Sequence, residues 1–429
     1  MFENHAPAVG SKSGLNRKCR WAALRPPRHG LALAALVCLS ALLAACQSAP
    51  GATTGPQQLV IRRGGVYTGS YRSTDSGVPC VSIETTEPVT LRDCVLAGAG
   101  DLIRATDGGA TLKVIGCRGY GLPQSTDQTR RGRFLEINAA RSVLVEHNYF
   151  EHTSGILIYQ WSGDGSARQT LTVRYNSARN IDGRYRDGGG TRVSFLQLNG
   201  VPNLAGCEIA WNQVINEPNQ SLVEDNINIF NSGGTRTSPM LLHDNFIRGA
   251  YPFPATSPTY TGSGITMDGD GEAPLTTTAY VEAYRNQVVS TCNAAMNIAA
   301  GHNNHFHDNR LVTSGLLPNG DKLPATYAAT AVWNYYKRPL TTFYNNRLTN
   351  NVIGFVHWGG TSPYPDRQDL SPGACVPCTG TIHLPKPITL QTEQAEWRRW
   401  QRKLQQRSIQ IGPLTKRVVP PKGAVAEAH

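Results

Sequence analysis

The chain has 429 residues, 40% of them hydrophobic, and carries 41 Lys and Arg against 30 Asp and Glu, a formal net charge of +11. That length can bury a sizeable core, and the apolar content excludes a wholly disordered chain. The charge sits at the ends: residues 1–45 hold six basic residues and one acid, residues 391–429 hold eight and three, and the stretch between is near neutral. With no recognised binding motif, this balance does not point to a nucleic-acid partner.

Residues 1–45 read as a segment outside the fold. Lys12, Arg17, Lys18, Arg20, Arg25 and Arg28 form a basic region, followed by an apolar run from Leu31 to Ala45 that is short for a membrane span. The run ends in Leu43-Ala44-Ala45-Cys46, which resembles a bacterial lipoprotein lipobox. That resemblance implies a signal peptide over 1–45 and acylation of Cys46 as the new N-terminus, anchoring the protein to a lipid bilayer. Gln47 after the Cys implies, by the same resemblance, the outer membrane of the bacterial envelope, on a side the sequence leaves open. Residues 46–58, rich in Gly, Thr, Ala and Pro, read as a flexible tether.

From residue 59 onward the chain becomes a series of short strands. Leu59-Val-Ile, Val66-Tyr67, Val81-Ser-Ile83 and Val89-Thr-Leu91 open it. The polar segment 119–133 carries Arg130, Arg131 and Arg133, and two readings stand: a solvated loop, or a basic patch that pairs with acidic sugars. From Val143 to Phe150 a form appears that recurs down the chain: an alternating apolar strand, an Asn, one residue, then an apolar one. The repeated Asn positions are Asn148, Asn176, Asn212, Asn245, Asn286, Asn309 and Asn346, with Cys94 and Cys117 in the equivalent earlier places. A second strand follows each, as in Gly155-Ile-Leu-Ile-Tyr and Gly264-Ile-Thr-Met-Asp.

Such a unit cannot bury its apolar face alone, whereas stacked copies can, each strand pairing with its equivalents at about 4.8 Å per layer. The Asn would occupy a corner, tolerate a left-handed backbone and hydrogen-bond to the Asn of the next layer. This architecture resembles the right-handed parallel β-helix of the pectin-lyase-like superfamily, over residues 59–360. The implied fold class is all-β with a short C-terminal helix. The superfamily includes lyases, hydrolases, epimerases and adhesive proteins, so the fold leaves function open. The Asn-Thr-Asp, Asp-Asp, Gly-His-Gly and Arg-Ile-Lys motifs of polygalacturonase-like hydrolases are absent, as is the pectate-lyase Arg-Pro-x-x-Arg pattern. Lys113, Lys322 and Lys337, the lysines of this region, lie in no evident motif.

Residues 361–429 read as an irregular Pro-rich end, an amphipathic helix and a basic tail. The helical period runs from Thr392, taken as N-cap, to Gln406, with Trp397, Trp400 and Leu404 on one face. It reads as a cap docked on the rod, the alternative being contact with an anionic membrane. After loss of the signal and acylation of Cys46, seven cysteines remain: Cys80, Cys94, Cys117, Cys207, Cys292, Cys375 and Cys378. The number is odd, so at least one stays outside an internal pair. Cys375 and Cys378 suit a loop disulfide, a redox motif or half a zinc site, the last two disfavoured by context.

Alternation places Ile156/Ile158, Leu196/Leu198, Ile227/Ile229, Ile265/Met267 and Met296/Ile298 inward. Glu136, Tyr159, Gln197, Asn228 and Asn297 then face out as a polar stripe suited to holding an extended polysaccharide. Gly264–Glu272 ends that stripe with Asp268, Asp270 and Glu272 in one turn. Three uses stand for these acids: a plain turn, a Ca²⁺ site built from oxygen ligands, or an acid/base pair, Asp268 and Asp270, for glycoside cleavage. Glu224-Asp225 precedes a neighbouring strand and could add a carboxylate. His302, His305 and His307 read as polar surface, because no third metal ligand accompanies them.

The functional expectation is a lipid-anchored protein that binds, and as an enzyme would cleave as a lyase or glycoside hydrolase, an extended polysaccharide of acidic type. A non-catalytic glycan-binding or envelope scaffold lipoprotein is the alternative. No cofactor is firmly indicated beyond the Ca²⁺ option, other metals are unspecified, and the oligomeric state is open.

Overall fold

The computed structural model describes residues 58–358, 367–371 and 373–415. The expected signal peptide, most of the tether and the acylated Cys46 lie outside the described residues.

Three parallel sheets of eleven strands each run side by side, and every strand pairs with the strand three places on in sequence. One coil therefore consists of three strands, as in Leu135–Ala140, Ser142–Glu146 and Tyr149–Glu151 of the fourth. This is a parallel β-helix of eleven coils, about 48 Å long at ~4.8 Å per coil. The sequence reading found the first and second strands of each coil but not the third. The third strand follows the corner directly and spans only three residues in Tyr149–Glu151, Ser177–Arg179 and Gln213–Ile215, too few to show a period of two. The helical rod also continues past residue 360: Gln368–Leu370, Cys375–Thr379 and Ile382–His383 form an eleventh coil inside the stretch read as irregular. Cys375 and Cys378 are disulfide-bonded there, while Cys80, Cys94, Cys117, Cys207 and Cys292 are free and buried.

The five inward pairs named above are fully buried. At the third-sheet side, Phe134 and Phe150 stack with centroids 4.3 Å apart, and Phe195 continues the column at 5.7 Å. Each coil closes its core only against the next, so burial is continuous and cooperative along the rod.

The corner between the second and third sheets holds the amide ladder. Asn176 Oδ1 accepts from Asn148 N at 3.0 Å and Asn148 Nδ2 at 2.9 Å, and the same two-bond link repeats through Asn212, Asn245, Asn286 and Asn309. Each Nδ2 also donates to a carbonyl of the preceding strand, as Asn212 to Val173 at 2.9 Å. Two expectations need correction. The ladder continues from Asn309 to Asn351, not to Asn346; Asn346 instead accepts from Asn304 at another corner. The left-handed residue is the one before each ladder position, from Asp93 and Gly116 through His147, Tyr175, Trp211, Asp244, Arg285, Asp308 and Asn350, with φ between 51° and 69°. The ladder Asn itself keeps an ordinary backbone, and its short amide reaches the next coil because its neighbour makes the turn.

After the last coil the chain doubles back as a helix, Leu390–Arg407. Its N-cap is Thr389 rather than Thr392; Thr392 is the third helical residue and completes a capping box with Thr389. The helix does not close the end of the rod. It lies on the outer face of the third sheet, with Trp400 fully buried among Ile215, Phe246 and Val289, and Trp397 and Leu404 packed beside it. Glu396 receives Arg310 at 2.6 and 2.8 Å and Gln287 at 2.9 Å, Glu393 receives Ser314 N at 2.6 Å, and Trp400 Nε1 donates to Gln213 at 2.9 Å. The segment beyond follows the rod back toward its start: Gly412 N donates to Tyr175 O at 2.7 Å, and Arg118 donates to Thr415 O at 3.0 Å.

Candidate functional site on the first sheet

The first sheet carries no such cover. In register, its outward residues form two columns. Arg104, Glu136, Leu157, Gln197, Asn228, Thr266 and Asn297 follow one another in the first. Asn138, Tyr159, Asn199, Phe230 and Asp268 make the second. Four of the five expected substrate-facing residues thus share one column, and Tyr159 stands in the other, 41% exposed. The six steps from Arg104 to Asn297 span about 29 Å.

Glu136, at the start of the face, is tied down. Arg130 donates to it at 2.7 Å and Arg133 lies 3.3 Å away, while Arg130 also bonds Asp101. Burial and the charge of Arg130 bring buried Arg133 down to about 10. Arg131 pairs with Asp182, which also takes Arg184, and Arg186 pairs with Asp127. The arginines of these loops therefore lock loop to loop rather than standing free. Between them a cavity of about 400 Å³ opens, lined by Arg104, Arg130, Gln128 and Tyr185.

The chemistry concentrates in the seventh and eighth coils. Asp225 begins the strand Asp225–Phe230 and is buried; it accepts from Asn228 Nδ2 and from the Thr266 hydroxyl, both at 2.8 Å. Burial raises its pKa against those two hydrogen bonds, and the charge of Asp268 raises it further. Its neighbour Glu224 is pushed up to about 7, first by burial and then by Asp225, with Arg192 at 3.3 Å opposing. Asp268, at the end of the strand Ser263–Asp268, accepts from Tyr336 Oη and from Gly269 N at 2.8 Å. Burial and that carboxylate raise the Tyr336 phenol, so it acts as donor. Asn228 Oδ1 is buried with no hydrogen-bond partner among the described residues, an acceptor beside this cluster without a donor.

Asp225 begins its strand and Asp268 ends the strand beside it, and the charge of Asp268 is felt at both Asp225 and Glu224. Asp270 turns away: its carboxylate accepts from Asn231 Nδ2 at 2.7 Å and from Glu272 N at 3.0 Å, and Arg338 holds its carbonyl. Its turn needs glycine on both sides. Gly269 and Gly271 have φ of 155° and 63°, and a Cβ on them would meet Asn231 Oδ1 at 2.5 Å and Arg338 Cγ at 2.7 Å. Glu272 is 68% exposed and lies 3.5 Å from Arg338. Among the described residues no group of three His, Cys, Asp or Glu is arranged to hold a metal ion. His302 is buried and stacks on Tyr344, and His305 and His307 belong to the second sheet, so these histidines lie off the face.

Sequence reading missed Arg192 and Tyr336. Tyr336 comes 68 residues after its partner Asp268, and no local pattern links the two. Trp333, 43% exposed, and Tyr335, 64% exposed, follow the strand Thr326–Val332 of the same sheet and add aromatic surface at this end.

No family model and no curated protein matches the sequence. Among solved structures, a mannuronic acid-specific polysaccharide family 6 lyase from human gut microbiota is similar at 13% identity, over 83% of this chain and 91% of that one, with a TM-score of 0.38. The alginate lyase AlyF-OU02, in complex with G6, is similar at 12% identity over 77% and 79%, with a TM-score of 0.27. At these levels the class of the molecule rests on its own strand pairing: it is a parallel β-helix protein.

Proposed function

We propose that the protein binds an extended polysaccharide along the outer face of its first sheet and hydrolyses it at Glu224 and Asp268. The observation that carries this reading is half-buried Glu224 immediately before the first-sheet strand Asp225–Phe230, where burial and the charge of Asp225 push its carboxyl up to about 7 against the pull of Arg192. A carboxyl that keeps its proton near neutrality is a general acid for a glycosidic oxygen, and an ionised partner supplies the base or nucleophile. Glu224 gives its proton to the leaving oxygen as the glycosidic bond breaks. Asp268, steadied by Tyr336, takes the opposite role toward the incoming water or the sugar carbon. Gln197, Asn297 and Tyr159 hold sugar units along the columns, while Asn228, expected among them, is buried and holds the Asp225 carboxyl instead. The role first assigned to Asp270 passes to Glu224.

The test is a panel of neutral and acidic polysaccharides, with and without Ca²⁺, read for new reducing ends and for the ultraviolet absorbance of an unsaturated uronate. Hydrolysis gives reducing ends alone, and Glu224→Gln lowers the rate at least about 100-fold. Activity should fall as pH rises through about 7, where Glu224 loses its proton. Absorbance rising with the reducing ends would replace hydrolysis by elimination. Saturable binding with neither signal would establish the non-catalytic reading.

Anchoring at the bacterial outer membrane through acylated Cys46 is part of the same proposal, supported by the Leu43–Cys46 pattern. Palmitate labelling of cells should mark the wild type and not Cys46→Ser; equal labelling of both removes it.

A further inference from the structure

A second polar cavity lies away from the first sheet, between the C-terminal helix and the corner of the second and third sheets. Its volume is about 370 Å³, and Arg285, Arg310, Arg399, Arg402 and Lys403 line it together with one acid, Asp308. The helix supplies its cations Arg399, Arg402 and Lys403 from one face, since they are spaced three and four apart. The rod supplies Arg285 and Asp308 from successive left-handed corner positions, and Arg310 from the start of the strand Arg310–Thr313. Two buried carboxylates neutralise part of this charge. Glu396 takes both bonds of Arg310, and Asp244 lies 2.6 Å from Arg285 and 2.7 Å from Lys403.

What remains is uncompensated. Arg399 reaches Glu396 only at 3.8 Å, from a side chain 52% exposed. Arg402 makes no hydrogen bond or ion pair among the described residues. Asp308 is drawn aside to His307 at 2.7 Å. Five cations against Glu396, Asp244 and Asp308 leave an excess of two positive charges around an open space. Burial and the nearby charges of Arg285 and Arg407 press Lys403 toward losing its proton, against the pull of Asp244.

We propose that this cavity is a binding site for a phosphate-bearing group. A phosphate monoester carries close to two negative charges at neutral pH and a phosphodiester one, and both present the acceptor oxygens that forked guanidinium donors engage in pairs. The volume exceeds that of a bare phosphate and leaves room for the sugar or glycerol attached to it. The helix's apolar stripe is buried against the rod, so a lipid source would be met through its headgroup and not by insertion.

The experiment titrates the full chain with glucose 1-phosphate, glucose and glucuronate by calorimetry, and with phosphatidylglycerol vesicles against phosphatidylcholine vesicles by co-sedimentation. Saturable binding of glucose 1-phosphate but not glucose, or of the phosphatidylglycerol vesicles alone, supports the site; the first identifies a soluble phosphosugar, the second a headgroup. In either arm Arg402→Gln should weaken binding at least tenfold while leaving thermal unfolding unchanged, because its side chain has no partner to lose. Arg399→Gln provides a second reading with the same expectation for binding. The proposal is overturned if neither probe binds, if glucuronate binds as tightly as glucose 1-phosphate, or if both variants bind like the wild type.

Discussion

The first and third sheets are built from the same coils by the same parallel pairing, yet their outer faces differ. The third sheet puts Ile215, Phe246 and Val289 outward in its sixth to eighth coils, and the chain lays Trp400 over them. The first puts Gln197, Asn228, Thr266 and Asp268 outward in those coils, Asn228 and Thr266 buried and Gln197 and Asp268 half-buried, with no helix among the described residues laid over them. Where a β-helix exposes apolar side chains, it needs a cover for stability; where it exposes an orderly polar column, it can be used. The buried carboxylates sharpen the contrast. Glu396 of the helix over the third sheet is saturated by Arg310 and Gln287, whereas on the first sheet Asp225 is buried with neutral donors only, and half-buried Glu224 has Arg192 for partner.

The comparison can be broken by mutation. Trp400→Ala should cost the most stability, about 4 kcal/mol in denaturant unfolding, by emptying the space against Phe246 and removing the bond to Gln213. It should leave glycan binding by the first sheet unchanged. If binding falls in parallel, the two faces are not independent.

Asn212→Ala should cost about 3 kcal/mol by the same measurement, because Asn176 N and Nδ2 and Val173 O each lose a buried partner. Asn346→Ala should leave the long ladder intact and disturb only the corner shared with Asn304.

The pH dependence separates individual carboxylates by sign. Asp244, held down chiefly by His243 and Arg285 against its burial, contributes stability that is present above the ordinary Asp value of 3.8 and lost as pH falls through its lower folded value. Glu393, under the helix, and Glu224, on the open face, are both raised from 4.5 to about 7, so each makes stability decline between those values as pH rises. Glu393→Gln should flatten part of that decline without altering glycan turnover. Glu224→Gln should flatten another part and abolish turnover.

The smallest stability effect is expected for Tyr159→Ala, within about 0.5 kcal/mol for an exposed side chain. On the open face it should nevertheless weaken glycan binding about tenfold, as loss of an aromatic sugar contact would. Unchanged affinity would confine the binding surface to the first column.

The local chemistry of the sequence was sufficient for the coil. Alternating aliphatics placed Ile227/Ile229 and Ile265/Met267 inside, because a strand's side chains can face only two ways. The recurrent Asn marked a corner, because an unpaired amide cannot be buried there without a copy above and below. Asn346 misled because its setting, a short apolar strand and then an apolar residue, matches the repeat locally. Asn351 five residues later is the one that the sixth step of the Asn ladder, from Asn309, reaches. Loops of different length separate successive coils, while each coil rises by the same small distance. Sequence distance therefore carries no information about which outward side chains meet. Only the stacked structure could pair the strands of Asp225 and Asp268, send Asp270 into a turn, and bring Tyr336 back across two coils. Likewise the helix was legible from its Trp stripe, but its seat on the third sheet was decided by which face had apolar side chains left to bury.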